Sequence, residues 1–213
     1  MEPPARDRAT DGGHPGLGGA FCRRYPGAAN QLMRFAATDI EGAFIVELDI
    51  RSDERGGFAR IFCGEEFAAA GIDFRPMQVN LSRNTAGHTL RGLHTQDIRY
   101  AEAKLVQCVR GRIFDVAVDV RSGSPTYGHV VTVDLAATGN RLFFIPPGCA
   151  HGFLTLTADS DLVYYMGTPF VRDVGIGLRW DDPAFAIDWP ARPAVISARD
   201  ATYPDFVANS GAT

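Results

Sequence analysis

An all-β jelly-roll barrel with a few short helices is the fold this sequence predicts, and three observations predict it. From Phe44 to Gly167 the chain runs as short segments of alternating apolar and polar residues, the period that puts every second side chain on one face of a strand. Glycine, serine, proline and asparagine separate these segments, as in RSGSPTYG and AATGN, where positive or preset φ makes turns. About eight or more such strands in one domain need closure or a sandwich, which a cupin-like jelly roll provides.

The elements follow in order. AFIVELDI reads as a strand, SDERGG as a turn and FARIFC as a second strand, and GEEFAAAG is a short helix. MQVNLSR, HTLRGLH, AKLVQCV, RIFDVAVDV, HVVTVDL, RLFFIP, HGFLTLT and DLVYYMG then each have about the usual strand length of five to six residues. Residues 1–30 mix proline, glycine and charge without periodicity, so they are expected to be a mobile tail that buries too little to offset its ordering entropy. Residues 31–213 form a single domain in this reading. After Trp180 the proline-rich WDDPAFAIDWPARPAVISARDATYP is expected to wrap the barrel with at most short helical turns.

With 213 residues and 46% hydrophobic content, the chain can bury one substantial core. A formal charge of -4 argues against a nucleic-acid binder, although a local basic pocket for one diphosphate is invisible in that sum. Cys22, Cys63, Cys108 and Cys149 form no CxxC pair and no dense framework, so reduced and mostly buried thiols are expected. No run of about 18 apolar residues is present, and a soluble, cytoplasmic protein is the expectation.

His94 in RGLHTQ and His151 in IPPGCAHGF carry the first chemistry. Imidazole titrates nearest neutral pH, so proton transfer is the leading hypothesis. Alternation on the strand sets His94 with Gly92 and Gln96 and turns Arg91 the other way unless a bulge intervenes. Histidines on two strands are also how metal-binding cupins are built, and His94, Gln96, Glu102 and His151 are the candidate ligands for that alternative. Lys104 stands against it, because an ammonium repels a nearby divalent cation. Its charge suits an oxyanion or enolate instead, and an inward lysine needs a carboxylate partner, for which Asp115 or Asp119 is available. Of Tyr164 and Tyr165, alternation lets only one face the lumen, where a phenol can deliver a proton. Taken singly, each of these residues has a structural reading: a satisfied core histidine or tyrosine, a solvated lysine.

Taken together, RGLHTQ, AKLVQCVRGRIFDVAVDVRSGSPTYG, IPPGCAHGF, RWDDPAFAIDWP and ISARD resemble the dTDP-4-dehydrorhamnose 3,5-epimerase family in order, spacing and wording from about Phe35 to Asp200. The resemblance implies a jelly-roll homodimer that uses neither metal nor organic cofactor. It implies an isomerase acting on a nucleotide-linked 4-keto-6-deoxyhexose, with dTDP as the expected carrier and no nucleic-acid or membrane partner. It also implies the roles of individual residues. His94 matches the general base, Asp200 the carboxylate that orients it, Lys104 the group facing the enolate oxygen, and Tyr164 the acid. His151 matches a pocket-supporting histidine, Arg55, Arg91 and Arg199 match arginines near the diphosphate, and Gln78 and Asn80 match polar substrate contacts. Phe170 stands where the family carries an aromatic, usually tyrosine, six residues after the acid.

The chain also departs from the pattern. Arg60 replaces the acid of Arg-Gly-x-Phe-x-Glu, Thr95 replaces the tyrosine of RGLHYQ, and Gly175 replaces the acid of ERGIRW. Inversion at carbon 3 or carbon 5 alone is therefore the alternative to inversion at both.

Overall fold

In a computed structural model of the chain, residues 32–169 and 171–207 are described. The expected tail at residues 1–30 and the assignment of Phe170 lie outside the described residues. Strands β1 (Met33–Ala37), β2 (Phe44–Leu48), β3 (Arg51–Asp53) and β4 (Gly56–Phe58) precede helix α1 (Gly64–Ala69). Then come β5 (Gln78–Asn84), β6 (Thr89–Gln96), β7 (Lys104–Arg110), β8 (Arg112–Asp119), β9 (Val130–Ala136) and β10 (Arg141–Ile145). The chain continues through β11 (Cys149–Thr155), β12 (Ser160–Met166), β13 (Gly175–Gly177) and β14 (Val195–Ile196) to helix α2 (Ala198–Ala201).

Two sheets make the jelly roll. One has the order β1-β2-β10-β7-β12-β5, and the other runs β13-β6-β11-β8-β9, with β14 also pairing with β6. Their facing sides share a core in which Val106, Phe143 and Ile145 of the first sheet meet Ile113, Ala117 and Phe153 of the second. The alternating burial of β9 follows from this arrangement, since one of its faces closes that core, whereas β8 is buried on both faces. Outside the first sheet, Phe67 of α1 is fully buried and packs edge-on against Phe35 with ring centroids 5.0 Å apart. Burying such a ring contributes roughly 1.5–3 kcal/mol. Outside the second sheet, Leu178, Phe185 and Trp189 of the C-terminal segment cover Leu93, Val116 and Val118.

The expected strand FARIFC is corrected by the structure. Pairing stops at Phe58, where β4 forms a two-stranded hairpin with β3, and Ala59, Ile61, Phe62 and Cys63 turn in to pack around Phe67 instead. Arg60 is used locally, with Nη1 donating to Glu66 Oε1 at 2.8 Å. The other oxygen of Glu66 accepts the N–H groups of Leu32 and Met33. Strands β1, β13 and β14 lie outside the predicted set, since each is short and lacks a clean alternation.

The register of β6 positions the site. His151 lies opposite His94, but Phe153 lies opposite Arg91, so Gly152 of β11 faces two residues of β6, Gly92 and Leu93. Gly92 fills the irregular position with φ +118°, and a Cβ there would stand 2.5 Å from the Gly152 Cα, so only glycine fits. The bulge brings both Arg91 and His94 to one cavity, the exception under which the strand need not turn Arg91 away.

Candidate active site

The open end of the barrel encloses a cavity of about 1240 Å³ whose lining includes His94, Lys104, His151, Tyr164, Arg199 and Asp200. Four of these come from strands of the two sheets, and Arg199 and Asp200 come from α2. The outer edge of β6 explains how a residue so distant in sequence arrives there. β14 pairs with Thr89 and Leu90, β13 pairs with residues 94–96, and α2 docks at the stretch left between them. Ser197 caps α2 by accepting the Asp200 N–H at 3.0 Å, which suits a serine at that position.

Asp200 is 5% exposed and its two oxygens are both engaged. Oδ1 lies 2.8 Å from His94 Nε2, and Oδ2 accepts the Gly92 N–H at 3.3 Å. With Nε2 bonded to the carboxylate, Nδ1 is the nitrogen left to exchange a proton. Burial pushes the His94 imidazole below its ordinary value, Asp200 pulls it back up, and the charges of Lys104 and Arg199 push it down again. The group is thereby a neutral base at physiological pH whose protonated form has a waiting counter-ion.

Lys104 is 7% exposed, and its Nζ stands 3.4 Å from Glu102 Oε1. Glu102 is the carboxylate that an inward lysine requires, and this corrects the expectation of Asp115 or Asp119. Asp119 instead closes a turn, accepting from Arg121, Ser124 and Thr126. Burial lowers the Lys104 ammonium from its ordinary value while Glu102 raises it.

Asp115, fully buried, makes a second dyad with His151, Oδ1 to Nε2 at 2.7 Å. Cross-strand pairing of His151 with His94 sets the two histidine–carboxylate pairs side by side. Tyr164 faces the cavity and meets the His151 ring edge-on at 5.8 Å, while Tyr165 packs into the core outside the first sheet. Burial and the nearby Asp115 push the Tyr164 phenol well above its ordinary value, so it carries its proton at neutral pH.

The remaining assignments divide. Arg91, Arg199 and Asn80 line the cavity, and Asn84 orients Arg91 by accepting from its Nε at 2.8 Å. Gln78 reaches the site indirectly, donating to Asn80 Oδ1 at 2.9 Å. Arg55 lies away from the cavity on the β3–β4 hairpin, paired with Asp53. Sequence reasoning missed Asn84, Arg172 and the pairing roles of Glu102 and Asp115. Arg172 lies in the cavity wall on a segment without periodicity, and nothing in the sequence marks it.

The cupin-type ligand set lines the same cavity but is not arranged as a metal site. His94 and His151 each commit Nε2 to a different carboxylate, Glu102 faces an ammonium, and both amide atoms of Gln96 are buried without a partner. Among the described residues no three histidine, cysteine, aspartate or glutamate side chains group as metal ligands. Also among the described residues, no helix is long and apolar enough to cross a membrane.

The family described as dTDP-4-dehydrorhamnose 3,5-epimerase matches residues 37–208. A dTDP-4-dehydrorhamnose 3,5-epimerase of Sinorhizobium fredii is 42% identical over 155 residues, covering 72% of this chain and 80% of its own length. A dTDP-4-dehydrorhamnose 3-epimerase of Streptomyces niveus is 37% identical over 169 residues, 79% of this chain and 81% of its own. Among solved structures, a dTDP-6-deoxy-D-glucose-3,5-epimerase of Legionella pneumophila in complex with dTDP-4-keto-L-rhamnose superposes with a TM-score of 0.75. It is 40% identical, over 79% of this chain and 90% of that one. Fold and cavity thus define a jelly-roll isomerase of the epimerase type. The chain belongs to the dTDP-4-dehydrorhamnose 3,5-epimerase family.

Proposed function

We propose that this protein epimerises a dTDP-linked 4-keto-6-deoxyhexose at carbons 3 and 5 through an enolate. The observation that carries the reading is the convergence on one cavity of a carboxylate-supported imidazole, a buried ammonium and a protonated phenol. The ketone at carbon 4 acidifies the adjacent C–H bonds. His94 Nδ1 takes the proton, and the electron pair of the broken bond moves into an enolate whose oxygen is met by Lys104. Tyr164 then supplies a proton to the carbon from the opposite face, its phenolate is reprotonated by solvent, and the imidazolium releases its proton. No electrons leave the substrate, so the step balances without a redox partner. Asp200 stabilises the imidazolium in between.

Arg91 and Arg199 supply guanidinium forks for the diphosphate, and Asn80, supported by Gln78, supplies polar contacts for the sugar or nucleoside. His151, held by Asp115, supports the wall beside Tyr164. A nucleotide-linked substrate and free thiols at Cys63, Cys108 and Cys149 support a cytoplasmic enzyme in this reading.

Two copies complete the site in this reading. β5 is an edge strand, and Met77, Val79 and Leu81 are 66%, 58% and 53% exposed along it, a surface that pairing with a second chain would cover. The hairpin of β3 and β4, with Arg55 and Phe58 exposed, is then free to reach the partner. Light scattering is expected to give a dimer, and a monomer at working concentration would count against this arrangement.

The reaction itself is tested by supplying dTDP-4-keto-6-deoxyglucose in heavy water and following the sugar by proton NMR. Deuterium at both carbon 3 and carbon 5 is the expected result. Label at only one carbon would restrict the enzyme to single inversion, and label at neither would remove the assignment.

A further inference from the structure

The His94 ring touches more than the cavity. On β13, Gly177 lies directly across from His94, and the space its missing Cβ leaves is occupied by Tyr203, just beyond α2. A Cβ at position 177 would stand 1.8 Å from the Tyr203 Cζ, so the ring is admitted only because that residue is glycine. Tyr203 meets His94 edge to face, with centroids 6.1 Å apart and planes at 82°. Its other neighbour is Arg199, whose guanidinium carbon lies 5.7 Å from the ring centroid, within cation–π range. The phenol oxygen is buried with no hydrogen-bond partner, so the ring and not the hydroxyl is what this position uses. Tyr203 does not line the cavity.

We infer that Tyr203 is a positioning residue for the base: it wedges between Gly177, Arg199 and the imidazole, fixes the His94 ring against Asp200 and closes its outer flank to water. The inference rests on the reading of His94 as the proton-abstracting group. Two consequences follow from the geometry. An imidazole with a filled flank has one rotamer within reach of Nδ1 chemistry, and a loss of that packing costs rate through misplacement more than through substrate affinity. An imidazole with a dry flank is also a weaker proton binder, since desolvation disfavours its charged form. The charged and titratable groups facing it are Asp200 and Arg199 from α2, Lys104 from β7 and His151 from β11; β13 contributes only Gly175, Ile176 and Gly177, none of them ionisable. Of these groups Arg199 packs on the Tyr203 ring, and withdrawal of its cation from the imidazole would move the titration in the same upward direction as the entry of water.

The experiment compares wild type with Tyr203→Ala, Tyr203→Leu and Tyr203→Phe in the deuterium exchange assay across pH. NMR titration of the His94 imidazole is run in parallel on the same full-length proteins. Tyr203→Ala is expected to lower kcat about tenfold or more with KM within about twofold. The acid limb of kcat/KM and the imidazole titration should both move up by about half a pH unit as water reaches the ring. Tyr203→Phe should restore all three quantities. Should Tyr203→Ala not fold, Tyr203→Leu fills the gap with an aliphatic group and carries the same expected shifts at smaller size. Variants that melt earlier yet keep the wild-type kcat and acid limb would reduce Tyr203 to a packing residue and overturn the inference. If wild type itself exchanges no deuterium, the epimerase reading falls, and the NMR titration alone still decides whether Tyr203 sets the imidazole.

Discussion

Replacing His94 by asparagine is expected to lower the rate of substrate deuterium exchange by about three orders of magnitude while leaving binding of the nucleotide nearly intact, as removal of a general base does. The asparagine amide matches Nδ1 and falls short of the Nε2 position that meets Asp200, but Asp200 still accepts the Gly92 N–H, so α2 keeps an anchor and the main loss is one of chemistry. The wild-type pH profile carries the same information. Burial depresses the His94 imidazole, so its base form persists below the value of about 6.5 for free histidine, and kcat/KM should fall on the acid side only below that point. The sign is definite: the group is active when neutral, activity is lost as pH drops through its folded pKa, and a depressed value extends the active range downward. An acid limb lying above that of free histidine, or an asparagine variant that exchanges at the wild-type rate, would remove His94 from its role.

The second large effect is expected at Lys104. Its ammonium is enclosed beside Glu102, where little water screens the attraction between the cation and an enolate oxygen. Losing one such stabilising group costs about 10²–10³ in kcat. Lys104→Met goes further, because it leaves the Glu102 carboxylate largely buried, unpaired and facing the developing negative charge. A destabilised fold is part of that outcome. The double variant Lys104→Met with Glu102→Gln separates the two contributions: melting temperature should recover and the rate should not. A double variant that regains the rate would mean that Lys104 serves only to neutralise Glu102. On the basic side, activity should fail as Lys104 loses its proton, at a pH below the value of about 10.4 for free lysine, because burial outweighs the help from Glu102.

Much of this molecule is visible in its residue order. The short runs that predict strands become β5 to β12 with bounds shifted by only a residue or two, because half-buried strands such as β9 write their two faces into the sequence and turn residues bound the fully buried β11. The short helix at Phe67 is equally plain. FARIFC misled because its apolar residues serve a cluster and not a ladder, and alternation cannot distinguish those uses. At the site, the residues named from the sequence motifs converge where side chains share a strand face, as His94 and His151 do. Arg55 shows the limit: it lies on a hairpin away from the cavity of its own chain, and no local pattern says which cavity a hairpin serves. Pairings across the fold were also hidden. Glu102 with Lys104 and Asp115 with His151 follow from register, and register depends on partners that are distant in the chain.

What the sequence determined alone is the inventory: a strand-rich barrel, two histidines on strands, one lysine expected to turn inward, and an aspartate in a C-terminal SARD segment. Tertiary structure decided which nitrogen of His94 remains open, which carboxylate holds each cation, and that Tyr203 sits over Gly177 beside the base. The physical reason is the range of the forces involved. Side-chain alternation and capping act within a few residues, whereas hydrogen bonds, ion pairs and ring contacts act over a few ångströms between residues that only the closed sheets bring together.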